Sequence, residues 1–185
     1  MKKIVIALAA AAGSLISTGV MAQAYVSGAV GQSHVNADCS GIASCDNNDT
    51  AYKVTGGYTF GNGLAAELGY ISFGKAKASN PGISAELKAE GVTLGVAYRA
   101  ALSPKWGLTV RGGVVSMKTT ISGSIASVGS GSDSQTKAQA YVGIGASYAI
   151  TSNLSVEAGA DFSQAQFETE KGDVRALTIG ARYSF

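Results

Sequence analysis

The chain has 185 residues, of which 46% are hydrophobic and 14% charged, against about 25% charged in an ordinary soluble domain. That length allows one domain, and no apolar run after the opening segment approaches the ~20 residues a membrane-spanning helix needs, which excludes a helical membrane protein. The formal net charge of +2 comes from Lys2 and Lys3, so the remainder is neutral and gives no ground for a nucleic-acid partner.

Lys2 and Lys3, the apolar "IVIALAAAAG" and the small-x-small "AQA" at Ala22–Ala24 predict a secretory signal peptide over 1–24. The cut is placed after Ala24, with Ala22 as the second site, leaving 25–185 as one domain. "YVSGAVGQSHV" (25–35) is a first strand of unsettled phase, because Gly and Ala occupy both of its faces. Cys39 and Cys45 follow in "DCSGIASCDNND", within a long connection over 36–49. A close, even pair in an exported chain points to a disulfide. The rival, a metal site, lacks a nearby His and a second Cys pair.

From Tyr52 the period is two. Tyr52, Val54, Tyr58 and Phe60 alternate with Ala51, Lys53, Thr55 and Thr59. After "GNG" (61–63), Leu64, Ala66, Leu68 and Tyr70 alternate with Ala65, Glu67 and Gly69. A long connection over 75–89 leads to Val92, Leu94, Val96 and Tyr98, set against Thr93 and Arg99. "LSPK" (102–105) turns into Trp106, Leu108, Val110 and Val114, set against Thr109 and Arg111. The Ser/Gly-rich stretch 119–136 reads as a mobile loop. Ala140, Val142, Ile144, Ala146 and Tyr148 form the next apolar face, followed by the turn "TSN" (151–153). Leu154, Val156, Ala158, Ala160 and Phe162 then alternate with Ser155, Glu157, Gly159 and Asp161. A last long connection over 164–173 precedes Leu177, Ile179, Ala181, Tyr183 and Phe185, set against Thr178, Gly180 and Arg182.

Eight strands with strictly alternating short and long connections, on an exported chain, predict an all-β, eight-stranded antiparallel up-and-down transmembrane β-barrel. Strands of 9–11 residues span the hydrocarbon, and closure leaves no unpaired edge in lipid. Tyr58, Phe60, Tyr98, Trp106, Tyr148, Tyr183 and Phe185 sit at the short-turn ends, with Tyr70 and Phe162 at the other edge, as interfacial girdles.

The pattern "GGY.F....A.E.GY..FG" (56–74), the short cysteine loop and the closing "ARYSF" resemble the small eight-stranded outer-membrane barrel family of the OmpA-like membrane domains and OmpX-like proteins. The resemblance implies a bacterial outer-membrane location with periplasmic termini and extracellular loops. It also implies that Tyr183 and Phe185 are the signal read by the barrel assembly machinery. The chain ends at the barrel, so the peptidoglycan tethering of full-length OmpA proteins is not carried over. Adhesion to a host or partner surface is an analogy with OmpX-like relatives.

The small-and-polar face must then line a narrow lumen, where charges require partners. Lys53, Glu67, Arg99, Arg111, Glu157 and Arg182 are expected to form an ion-pair network that plugs it. Lys75, Lys77, Lys118, Lys137, Lys171 and Arg175, at or beyond the outer rim, are candidate contacts for lipopolysaccharide phosphates. No residue set points to a cofactor. Ser33 and His34 are adjacent and so face opposite ways, and nothing joins Asp161 or Asp173, placed near the rim, to His34. The expectation is a structural, surface-interacting membrane protein and not an enzyme. A narrow gated pore is the alternative, and a lipid-modifying enzyme ranks below both.

Overall fold

The computed structural model describes residues 23–36, 44–80, 83–125, 129–167 and 170–185. The expected signal peptide and Cys39 lie outside the described residues. Gln23 and Ala24, which a cut after Ala24 would remove, are the first two residues of β1 (Gln23–Val35). The other strands are β2 (Ser44–Asp46), β3 (Asn48–Thr59), β4 (Leu64–Asn80), β5 (Ile83–Ala101), β6 (Trp106–Ile125), β7 (Gly129–Ala149), β8 (Leu154–Phe167) and β9 (Glu170–Ser184).

Eight of these form a closed ring. β1 pairs with β3, each strand from β3 to β9 pairs with the next, and β9 returns to β1, every pair antiparallel. β2 stands outside the ring and pairs only with the far end of β4, Cys45 opposite Ala78. The strands exceed the expected length, running from 12 residues in β3 to 21 in β7. Three of the expected long loops are largely hairpin: 75–89 is paired strand up to Asn80↔Ile83, 119–136 up to Ile125↔Gly129, and 164–173 up to Phe167↔Glu170. Serine and glycine lower intrinsic strand preference, but cross-strand pairing started in the barrel carries through them.

The short turns are built by their own side chains. Asn62 Oδ1, Ser103 Oγ and Thr151 Oγ1 accept from the amides of Leu64, Trp106 and Leu154 at 3.1, 3.1 and 3.0 Å. The last residue is tied into the ring by Phe185 N–H donating to Ala24 O at 2.9 Å.

The apolar face of every barrel strand points outward. Leu68, Leu94, Val114, Ile144, Leu177 and Ile179 are exposed on the wall, the reverse of a soluble sheet and the arrangement that lipid requires. The first strand takes its phase from the ring: Tyr25, Ser33 and Val35 are buried inside, while Val26 and Val30 face out.

In β4 a bulge shifts the register between Ser72 and Lys75. Before it the odd residues Ala65, Glu67 and Ile71 are buried; after it Ala76 is buried and Lys77 exposed. The bulge is pinned by Asp49, whose carboxylate accepts from the Lys75 amide at 2.8 Å, and by Ser33 Oγ donating to Phe73 O at 2.6 Å. Gly74 is its pivot: φ is +69°, and an added Cβ would lie 2.7 Å from the Asp49 side chain. Gly74→Ala is therefore expected to cost about 1–3 kcal/mol of backbone strain, read as a lower urea midpoint for the protein in lipid vesicles. An unchanged midpoint would mean that the bulge does not depend on this conformation.

Candidate functional site

The inward face divides into two tiers. Toward the short turns it is polar and charged. Tyr25 leaves β1 pointing into the lumen and its hydroxyl donates to Glu67 Oε1 at 2.6 Å. Gly57, the neighbour of Tyr25 on β3, makes this possible, since a Cβ there would fall 2.2 Å from the Tyr25 ring. Glu67 on β4 also receives Arg99 Nη2 from β5 and Arg111 Nε from β6, both at 3.2 Å. The Arg99 guanidinium lies over the Tyr25 ring, 4.0 Å from its centroid. Arg182 on β9 contacts the same ring at 5.7 Å and lies 2.9 Å from Glu157 Oε1, without hydrogen-bond alignment. Tyr25 thus stands between the two carboxylate centres.

Lys53 on β3 pairs with Asp161 on β8 at 2.5 Å, and Asp161 is fully buried. Its other oxygen accepts from the Tyr141 hydroxyl on β7 at 2.5 Å. The six residues expected in the lumen are all brought inside, in three separate centres: Glu67 with Arg99 and Arg111, Glu157 with Arg182, and Lys53 with Asp161. Asp161 corrects the sequence reading, which set it near the rim; it sits opposite Gly143 and Ala176, level with Arg111. Tyr25 and Tyr141 were missed as members. Parity exposes Tyr141, the one aromatic residue on the small face of its strand; Tyr25 was hidden by the unsettled phase.

Toward the long hairpins the lumen is mainly apolar. Val35, Ile71, Phe73, Val115, Met117 and Val174 form a buried cluster with the Tyr141 ring, so Tyr141 joins the two tiers. Beside Glu157, Arg111 and Thr178 a cavity of about 20 Å³ remains, room for about one water.

Ser33 and His34 do lie on opposite faces. Ser33 Oγ is buried on the Phe73 carbonyl, and His34 Nδ1 lies 3.0 Å from Asn48 Oδ1 on the outer wall. Among the described residues no group of three His, Cys, Asp or Glu is arranged to hold a metal. The Cys45 and Lys171 side chains fall outside the described residues. Of the expected rim cations, Lys75 pairs with Glu86 at 2.7 Å, and Lys77, Lys118, Lys137 and Arg175 are exposed; Lys88, within the expected long connection over 75–89, pairs with Glu90 at 2.8 Å.

Breaking a buried charge centre leaves its partner uncompensated, at about 3–5 kcal/mol. Glu67→Ala strands Arg99 and Arg111 and is expected to cost that much in urea unfolding. Glu157→Ala should cost less, because its side chain is 17% exposed against 8% for Glu67. Equal, small losses would mean that the charges are not a stability element.

The family model described as "Outer membrane protein beta-barrel domain" matches residues 4–185. No curated protein matches the chain. Among solved structures, the fold is similar to Ail, the attachment invasion locus protein of Yersinia pestis, at TM-score 0.61 and 19% identity over 88% of this chain and 98% of that one. Ail has also been crystallised with the heparin analogue sucrose octasulfate. Neisserial surface protein A is similar at TM-score 0.58 and 17% identity, covering 88% and 97% of the two chains. OprG from Pseudomonas aeruginosa is similar at TM-score 0.52 and 14% identity, covering 89% and 94%. Matched over nearly its whole length, the chain belongs to the outer membrane protein β-barrel domain family.

Proposed function

We propose that this protein is a non-conducting outer-membrane barrel that contributes to membrane integrity and acts through its outer surface. The observation that carries this reading is the double seal of the lumen. Mixed-sign charges are joined in one half and apolar side chains are close-packed in the other, with Phe73 and Ile71 fully buried. An eight-stranded ring is only wide enough for side chains to fill. An ion moving through this one would have to part the Glu67 centre and then cross the Phe73–Met117 layer, whose inward side chains are mainly apolar.

In this reading the termini and short turns face the periplasm and the long hairpins face outward. A signal peptide is removed at or near Ala24, Cys39 and Cys45 form a disulfide beyond the rim, and Tyr183 and Phe185 present the last strand to the assembly machinery. The partners are then outer-membrane lipids, lipopolysaccharide and a host or other surface met by the hairpins. No catalytic role is assigned.

Planar-bilayer conductance tests the seal, after a boiled-versus-unboiled gel shift has established folding. The folded barrel is expected to be electrically silent. Steady, reproducible channels would reverse the reading and make the Glu67 centre a gate.

A further inference from the structure

The outer wall carries a recess with a chemistry of its own. The ladder sets His34 on β1 beside Arg175 on β9, and Arg175 beside Phe162 on β8. All three side chains have the outward parity, and with Asn36 and Asp173 one step further along they line a cavity of about 420 Å³. It sits where the β7–β8 ladder stops, at Val142↔Phe162. Leu177 and Ile179, the next outward residues of β9 toward the short turns, are exposed and apolar. At ~3.4 Å per residue, Arg175 stands about 7 Å beyond Leu177, at the boundary of the apolar band.

The charges here are arranged unlike those on the opposite wall. Lys75 and Lys88 are each held by a glutamate at 2.7 and 2.8 Å. Arg175 has no carboxylate within ion-pair distance among the described residues. The nearby Asp173 carboxylate accepts from the Gln164 amide at 3.1 Å. His34 is oriented by Asn48, whose Oδ1 takes the Nδ1 proton at 3.0 Å, which leaves Nε2 for a ligand.

We infer that this recess holds the phosphate head of an outer-leaflet lipid. The planar guanidinium of Arg175 matches two phosphate oxygens. His34 Nε2 accepts from a lipid hydroxyl, or donates to the phosphate when the ring is charged. Phe162 and Leu177 lie against the first part of the acyl chain, so the occupant is a lipid phosphate rather than free phosphate. The inference rests on the outer-membrane reading, and it singles out Arg175 among the rim cations.

The test uses the refolded protein in phosphatidylcholine nanodiscs, with lipid A and phosphatase-treated lipid A as probes and retained lipid counted by native mass spectrometry. Each variant is first checked for folding by gel shift. The wild type is expected to retain lipid A, and Arg175→Gln to bind it at least about tenfold more weakly, as for loss of one charge-assisted contact. Phosphatase-treated lipid A should bind as weakly to the wild type, and Lys105→Gln, exposed in the short turn between β5 and β6 at the other end of the barrel, should change nothing. Equal retention by Arg175→Gln overturns the site, as does displacement of lipid A by inorganic phosphate at matched concentration. A normal gel shift with no lipid A retained overturns the recess alone. A wild type that shows no gel shift in lipid overturns the membrane reading, and the recess with it.

Discussion

A strand ring in hydrocarbon has to close, because every backbone donor and acceptor on an open edge would lie unpaired in lipid. Here the closing contact is the β1–β9 seam, eleven residues long from Tyr25↔Ser184 to Val35↔Val174. Once it forms, each strand's two faces have fixed fates. The apolar face meets lipid, where Leu94 and Ile179 are exposed without cost. The other face meets an interior so narrow that its residues must be small or matched to a neighbour. The many glycines follow from the same restriction, as Gly57 shows in giving its space to the Tyr25 ring.

The interior answers that restriction in two chemistries. Charge in a closed space is tolerated only with partners on other strands: Lys53 and Asp161, on β3 and β8, are 108 residues apart, Glu67 reaches Arg111 44 residues away, and Glu67–Arg99 and Glu157–Arg182 join neighbouring strands. The Lys53–Asp161 pair spans the ring from β3 to β8, so it reports correct closure as well as stabilising it. Replacing such pairs by apolar residues is often neutral or better for stability, and the far half of this lumen is built that way. Tyr141 sits at the change, its ring in the apolar layer and its hydroxyl on Asp161. A barrel sealed by apolar packing alone would need no charges, so the charged half is better explained by register specificity, since a strand slipped by one residue would turn Glu67 or Arg111 into lipid.

Much of this was legible in the sequence because the period of two is physical. Alternation placed the wall residues and the inward charges, and Gly61–Gly63, Leu102–Lys105 and Thr151–Asn153 carried the chemistry of tight turns. What escaped has three causes. Strand one offers Gly and Ala on both faces, so its phase, and with it Tyr25, is settled only by the neighbours. The β4 bulge reverses parity after Ser72, and its pivot depends on Asp49, 25 residues away from Gly74. The hairpin extensions are held by pairing to their partners, so their Ser/Gly composition hides them, together with Lys88. Which cation meets which carboxylate is not local information at all: Asp161 announces its charge in the sequence but not Lys53.

The wall itself is asymmetric in a way that bears on function. Along β4 and β5 two of the outward cations are neutralised within the protein, Lys75 by Glu86 and Lys88 by Glu90, with the Tyr70 hydroxyl adding a hydrogen bond to Glu90. Exposed pairs of this kind contribute little to stability, but they cancel attraction for an external anion. Along β1 and β9 Arg175 has no ion-pair partner among the described residues and stands beside an aromatic ring at the edge of the apolar band. A barrel whose interior is filled has only its wall and its hairpins with which to meet other molecules, and on this wall Arg175, without an ion-pair partner among the described residues, offers an anionic lipid head its contact at the lipid boundary.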